Sequence, residues 1–192
     1  MQDPAFASLL DQSAALDRCI AEVGFEGGLA APQYQRYVAD LPARIMPARD
    51  RRYQSLLGEQ TQVSHYGFVK PLADDLGMEA EATQIEVGDL LVWKVSETYL
   101  TEAVEAGATE VPVSEATLFA AGGLVEIGSD TAREQATVAE TSAEALMLAA
   151  ELQHDHAEQE PAVSIRRFEV LYVRSWPGLD HHVELALNEI AI

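Results

Sequence analysis

One cysteine, Cys19, is all the thiol chemistry in a chain of 192 residues, which excludes an internal disulfide framework and a Cys-based zinc or iron–sulfur site. Basic side chains are also scarce: 12 Lys plus Arg stand against 32 Asp plus Glu, for a net charge of −20 at pH 7. That imbalance disfavours generic adhesion to nucleic acid or to an anionic membrane surface, and with it a freely diffusing DNA-binding protein. No apolar run approaches the roughly 18–20 residues of a bilayer span. Met1-Gln2-Asp3-Pro4 opens the chain without the basic and apolar regions of a secretion signal, so the expectation is a soluble, intracellular protein. Missing too are the Gly-x-x-x-x-Gly-Lys-Ser/Thr and Gly-x-Gly-x-x-Gly phosphate loops and the Gly-x-Ser-x-Gly nucleophile turn. The chain is therefore expected to be no enzyme and to carry no cofactor.

What is present is a 48% hydrophobic composition, enough to bury a sizeable core in one domain or two small ones. The charge is unevenly spread. Residues 1–53 hold seven acids and six bases, and residues 54–96 hold seven and two. Residues 97–161 hold fourteen acids against Arg133 alone, a net of −13, before 162–192 returns to four against three. Such a step suggests an inserted module with its own surface.

Leu9, Leu10, Ala14, Leu16, Cys19, Ile20 and Val23 fall near a 3.6-residue period with Gly24 behind them, which predicts a helix over about 5–22 and a buried Cys19. Leu41 to Pro47, bracketed by prolines, reads as a short edge strand. Residues 48–61 read as a loop, 62–69 as a strand and 72–84 as a polar loop. Gly88-Asp89 is a turn before the apolar run Leu90 to Val95. Short strands between turn residues follow, at 99–103, 110–113, 124–127, 134–139 and 145–149. Two more, 164–174 and 182–190, form an expected hairpin, with Phe168, Val170 and Tyr172 sharing one face of the first.

The ordered set of helix, Arg44-Ile45-Met46-Pro47, arginine-bearing loop, strand at Gln62 to Val69, Gly88-Asp89 turn, Val170-Leu171-Tyr172-Val173 and the closing His182-Val183-Glu184-Leu185 resembles the head-tail stopper proteins of tailed bacteriophages. Ala43 stands where that family frequently has cysteine, and the usually short gap before the Tyr-Val strand is here filled by the acidic segment. Ala106-Gly107-Ala108-Thr109 through Val113, Val125-Glu126-Ile127-Gly128 and His154-Asp155-His156 make that segment look like a small β module common in phage virion proteins. The resemblance implies a mainly β chain: residues 1–96 and 163–192 as a small β-barrel with an N-terminal helix, and 97–162 as an inserted acidic β domain. It implies a virion neck protein made in the host cytoplasm, in a ring of six copies or alternatively twelve. Its partners would be the portal or adaptor and the tail terminator or tail-tube protein. DNA would pass without sequence-specific binding, and no membrane is involved. A tail-tube or baseplate component and a carbohydrate-binding domain using Trp93, Trp176 and Tyr172 are the alternatives.

Arg49, Arg51 and Arg52 stand out in an acidic chain. They suit DNA phosphates in a channel, acids on a neighbouring subunit or simply a solvated loop, and because three charges bind phosphate weakly and salt-sensitively, the second use is favoured over the first. Asp74, Asp75, Glu79 and Glu81 are the complementary contact candidates; no nucleophile or apolar wall beside them marks an acid/base pair. His154-Asp155-His156 reads as a turn with surface histidines, since a zinc site needs more ligands from separate elements. His181 and His182 open a strand on opposite faces and cannot chelate one ion together.

Overall fold

The computed structural model describes residues 10–23, 31–49, 57, 62–70, 85–175 and 183–190. They form ten strands: β1 (Gln12–Val23), β2 (Ala31–Pro47), β3 (His65–Val69), β4 (Leu90–Tyr99), β5 (Glu110–Pro112), β6 (Leu124–Ile127), β7 (Glu134–Thr141), β8 (Ala145–Leu148), β9 (Pro161–Ser175) and β10 (Val183–Glu189). Single 3-10 turns occur at Ala116–Leu118 and Asp130–Ala132. The protein is mainly β. It divides into two compact units, Met1–Trp93 with Arg167–Ile192, and Lys94–Arg166, with the divisions falling inside β4 and β9.

In the first unit the strand order is β10-β3-β2-β1-β4-β9, and β9 pairs back onto β10, so the sheet closes into a ring. The pairings of β1 with β2, β2 with β3, and β10 with both β3 and β9 are antiparallel. Inward positions fill the ring: Ala14 and Leu16, Leu41, Ala43 and Ile45, Val69, Leu91, Phe168 and Val170, and Leu185 and Leu187 make one buried cluster. Gly67 is where close packing requires the missing side chain, since a Cβ there would lie 3.0 Å from a Leu187 methyl. A smaller apolar cluster of Tyr66 and Ala186, with Leu57, Phe68 and Tyr172 against it, is made by the alternate residues of β3 and β10.

The second unit is built the same way on a smaller scale. β6 pairs with the start of β9 and with β7, β7 with β8, and β8 with β5. Leu100 bridges to Val113, and its N–H donates to the Glu160 carbonyl at 2.9 Å, so the two flanks are tied together. Leu100, Val111, Val125, Ile127, Val138, Leu146 and Leu152 fill its core. Four of the five short strands expected between turn residues are there, at β5, β6, β7 and β8, each within a few residues of its sequence bounds; the fifth, 99–103, is not a strand, since β4 ends at Tyr99, Leu100 makes a single bridge and residues 101–103 turn away.

Three expectations about the first unit are corrected. Residues 12–23 are strand β1, not helix, and residues 1–9 lie outside the description. Its register against β2 shifts between Ala14 and Leu16, between Leu16 and Asp17, and between Cys19 and Ala21, so apolar positions lose the two-residue alternation and mimic a helical spacing. The bend also leaves Cys19 exposed instead of buried. Second, Leu41 to Pro47 is no edge: it ends a strand of 17 residues lying between β1 and β3, with the Pro42 carbonyl accepting from Lys70 N–H. Third, Tyr172 leaves the face of Phe168 and Val170. A register shift between Ala186 and Leu187 pairs Leu187 with Val170 but Ala186 with Tyr172, so Val173 packs against the ring core and Tyr172 joins the other cluster.

Among the described residues Phe168 is the largest fully buried side chain, its ring edge-on to His65 at 4.8 Å between centroids and 6.5 Å from Trp93. Phe168→Ala is expected to cost about 3–5 kcal/mol through lost burial and a residual cavity. A lowered urea midpoint in tryptophan fluorescence is the readout, and an unchanged midpoint would contradict a core centred there.

Candidate functional site

Of the seven contact candidates, Arg49 alone falls among the described residues, exposed just beyond the end of β2. Arg51, Arg52, Asp74, Asp75, Glu79 and Glu81 lie outside them, as do His181, His182 and Trp176. The segment carrying Arg49 is fastened where it leaves β2: Ala48 N–H donates to the Ser64 carbonyl at 2.9 Å, and Ser64 N–H to that of Leu187. Of the aromatics considered for a sugar platform, Trp93 packs on the ring core and Tyr172 on the Tyr66 cluster, so they share no exposed face.

Other arginines of the first segment are engaged within the chain. Arg36 bonds to Asp17, and Arg44 lies 3.7 Å from Asp11 at the surface. Arg18 is placed 3.5 Å from Asp89, with its guanidinium 4.2 Å from the Tyr37 ring centroid. Asp89 follows Gly88, whose φ of +93° is left-handed and favours glycine. The Asp89 carboxylate accepts the Glu86 N–H at 2.8 Å and closes the turn. Gly88 N–H donates to the Val170 carbonyl and Val170 N–H to that of Asp89, both at 2.9 Å. The Gly-Asp pair expected as a turn is thus also a joint, joining β1 through Arg18 and β9 through Val170. Burial pushes the Asp89 carboxyl above its ordinary value, and the Glu86 N–H and Arg18 only partly offset that.

The second site lies in the acidic unit and corrects an expectation. His154 is exposed, but the His156 side chain is fully buried. Its Nε2 lies 3.0 Å from Glu134 Oε1 and its Nδ1 2.9 Å from Glu160 Oε2. Glu134 also accepts the backbone N–H groups of Gln153 and His154, at 2.8 and 3.0 Å. Backbone bonds between Val104 and His156 run both ways, at 2.9 and 2.8 Å, and Asp155 accepts Ala106 N–H. Gly128 makes room: at φ +84°, a Cβ on it would sit 2.7 Å from the imidazole. With both ring nitrogens on carboxylates, His156 has none to offer a metal. Among the described residues no three His, Cys, Asp or Glu side chains are grouped to hold one. The sequence carried a usable signal here, a histidine with a glutamate four residues on, flanked by Leu152 and Ala162 of the core.

No family model and no curated protein matches this chain.

Burial alone would raise the Glu134 carboxyl, but the Gln153 N–H, the His156 ring and the His154 N–H outweigh it, and the group sits below its ordinary value. The charged form is therefore favoured by folding, so the stability it contributes is present at neutral pH and drains away as pH falls through the carboxylate range. Glu134→Gln is expected to flatten that acid limb of the second unit's unfolding, followed by hydrogen exchange across a pH series; an unaltered limb would remove Glu134 from the account. At the other joint, Asp89→Asn keeps an acceptor for the Glu86 N–H, whereas Asp89→Ala leaves the turn open. The alanine variant is expected to lose about 1–2 kcal/mol and the asparagine variant clearly less, by thermal melts at neutral pH. Equal losses would mean that the charge, not the turn bond, matters.

Proposed function

We propose that this chain is a structural protein of a tailed-phage neck, a stopper that assembles as a ring below the portal or adaptor and joins the filled head to the tail. The observation that carries the reading is the six-stranded ring of the first unit, understood as a small β-barrel, with the Gly88-Asp89 joint tying β4 to β9. Strands β2, β3, β4, β9 and β10 cover the segments on which the resemblance was drawn, β1 stands where it expects a helix, and the acidic segment lies between β4 and β9 in sequence. The expected N-terminal helix is not part of the argument.

In this role the chain works mechanically and electrostatically. Its net charge of −20 repels the DNA backbone and lets DNA slide without sticking. Closing a ring takes heterologous interfaces, one patch meeting a different patch of the next copy. Arg18, Arg36 and Arg44 are engaged inside the chain, and the exposed Arg49, with Arg51 and Arg52 close to it in sequence, is proposed to meet acids of the adjoining subunit. Asp74, Asp75, Glu79 and Glu81 are the acids proposed to receive them. Six copies is the proposed ring and twelve its competitor, and the acidic unit would face the tail terminator or tail-tube protein.

Electron cryomicroscopy of the intact neck tests the assignment. Density for this chain in a ring between adaptor and tail is expected; density in the tail tube or baseplate would replace the stopper with a tail component. Reversing Arg49, Arg51 and Arg52 to Glu together is expected to abolish ring formation on portal–adaptor complexes at physiological salt, read by mass photometry. Rings of unchanged size would dismiss that interface.

A further inference from the structure

The Glu134–His156–Glu160 cluster requires more protons than its residues carry in their usual states. An ionised carboxylate only accepts hydrogen bonds, and a neutral imidazole has one N–H to donate. Two ring-to-carboxylate contacts at 2.9 and 3.0 Å therefore need two protons among the three groups. Remove one, and a nitrogen lone pair faces a carboxylate oxygen at a ring that has no exposed surface of its own and packs against the Gly128 backbone.

We propose that this cluster is a proton-operated latch: holding two protons, it fastens the 153–160 segment to the start of β7 and to Val104, and losing one releases that segment. The titratable groups against the ring are Glu134 from β7 and Glu160 from the end of the 153–160 segment. On the flanking elements, His154, Asp155, Glu158, Glu102 and Glu105 are exposed, Arg133 is half-buried next to Glu134 in the chain, and the buried Glu126 of β6 is bonded to Gln135. The surroundings are thus dominated by carboxylates. The strain of losing a proton falls on the paired backbone bonds between Val104 and His156. The latch acts within the acidic unit and does not depend on the neck assignment.

Nitrogen-15 NMR of the full chain, with the His156 ring identified by its absence in His156→Gln, reads the protons directly. Two ring N–H groups are expected wherever the Val104 and His156 amides are protected, and one where the segment has let go. As pH is raised and one ring N–H disappears, the hydrogen-exchange protection of the Val104 and His156 amides should fall about tenfold. Glu160→Gln is the decisive variant, because a glutamine amide can donate to a neutral ring nitrogen and removes the need for the second proton. It should keep its protection at the alkaline end. Protection that stays constant in the parent protein, or that falls in Glu160→Gln as it does in the parent, would overturn the latch.

Discussion

The first unit depends on β10 being hydrogen bonded along both edges. Val183 to Leu187 pairs with β3 on one side, and the whole strand with β9 on the other. A sheet that ended at β3 or β9 would present a row of unpaired amides and carbonyls, the usual template for unwanted strand addition. Closure also decides where the core is. Leu185 and Leu187 enter the ring only because the last strand comes home, and they meet Phe168 and Val170 from the first strand of the same hairpin. The close approach of β3 at Gly67 follows from the same closure, since a larger residue would press on Leu187.

Strands were legible where strict alternation or a turn signal marked them. Val183, Leu185 and Leu187 recur at every second position, with Glu184 and Asn188 among the residues of the other face, and Gly88-Asp89 announces β4; both read correctly from residues alone. β1 did not, because its bulges against β2 break the alternation that distinguishes a strand from a helix, and only the long partner Ala31–Pro47 makes it extended. One bulge likewise moved Tyr172 off the face that simple counting gives it. Bulges depend on the partner strand, so no single segment encodes them.

The candidate sites were less legible for a related reason. Charge counting picked out Arg49, Arg51 and Arg52 by their scarcity, yet it could not tell which arginines of the segment are already used. Arg18 and Asp89 are 71 positions apart in numbering and meet only when β1 lies beside β4. His156 presents the same difficulty in reverse. Its polar neighbours in sequence suggested a surface turn, while the bridge to Val104, the glycine at 128 and the carboxylate of Glu134 come from three other stretches of chain.

A highly acidic unit has to bury a core without burying repulsion. Residues 94–166 carry fourteen acids against Lys94, Arg133 and Arg166, and most of those carboxylates lie at the surface, where water and salt screen them. The carboxylates drawn inward are each given a donor: Glu126 takes the Gln135 amide, Glu134 takes two backbone N–H groups and an imidazole nitrogen, and Glu160 takes the other nitrogen. With so few cations available, the work of neutralisation passes to backbone amides and to one histidine. An acidic module built with few bases therefore keeps most of its charge at the surface and leaves the few carboxylates it buries to donors that its own strands and turns hold in place.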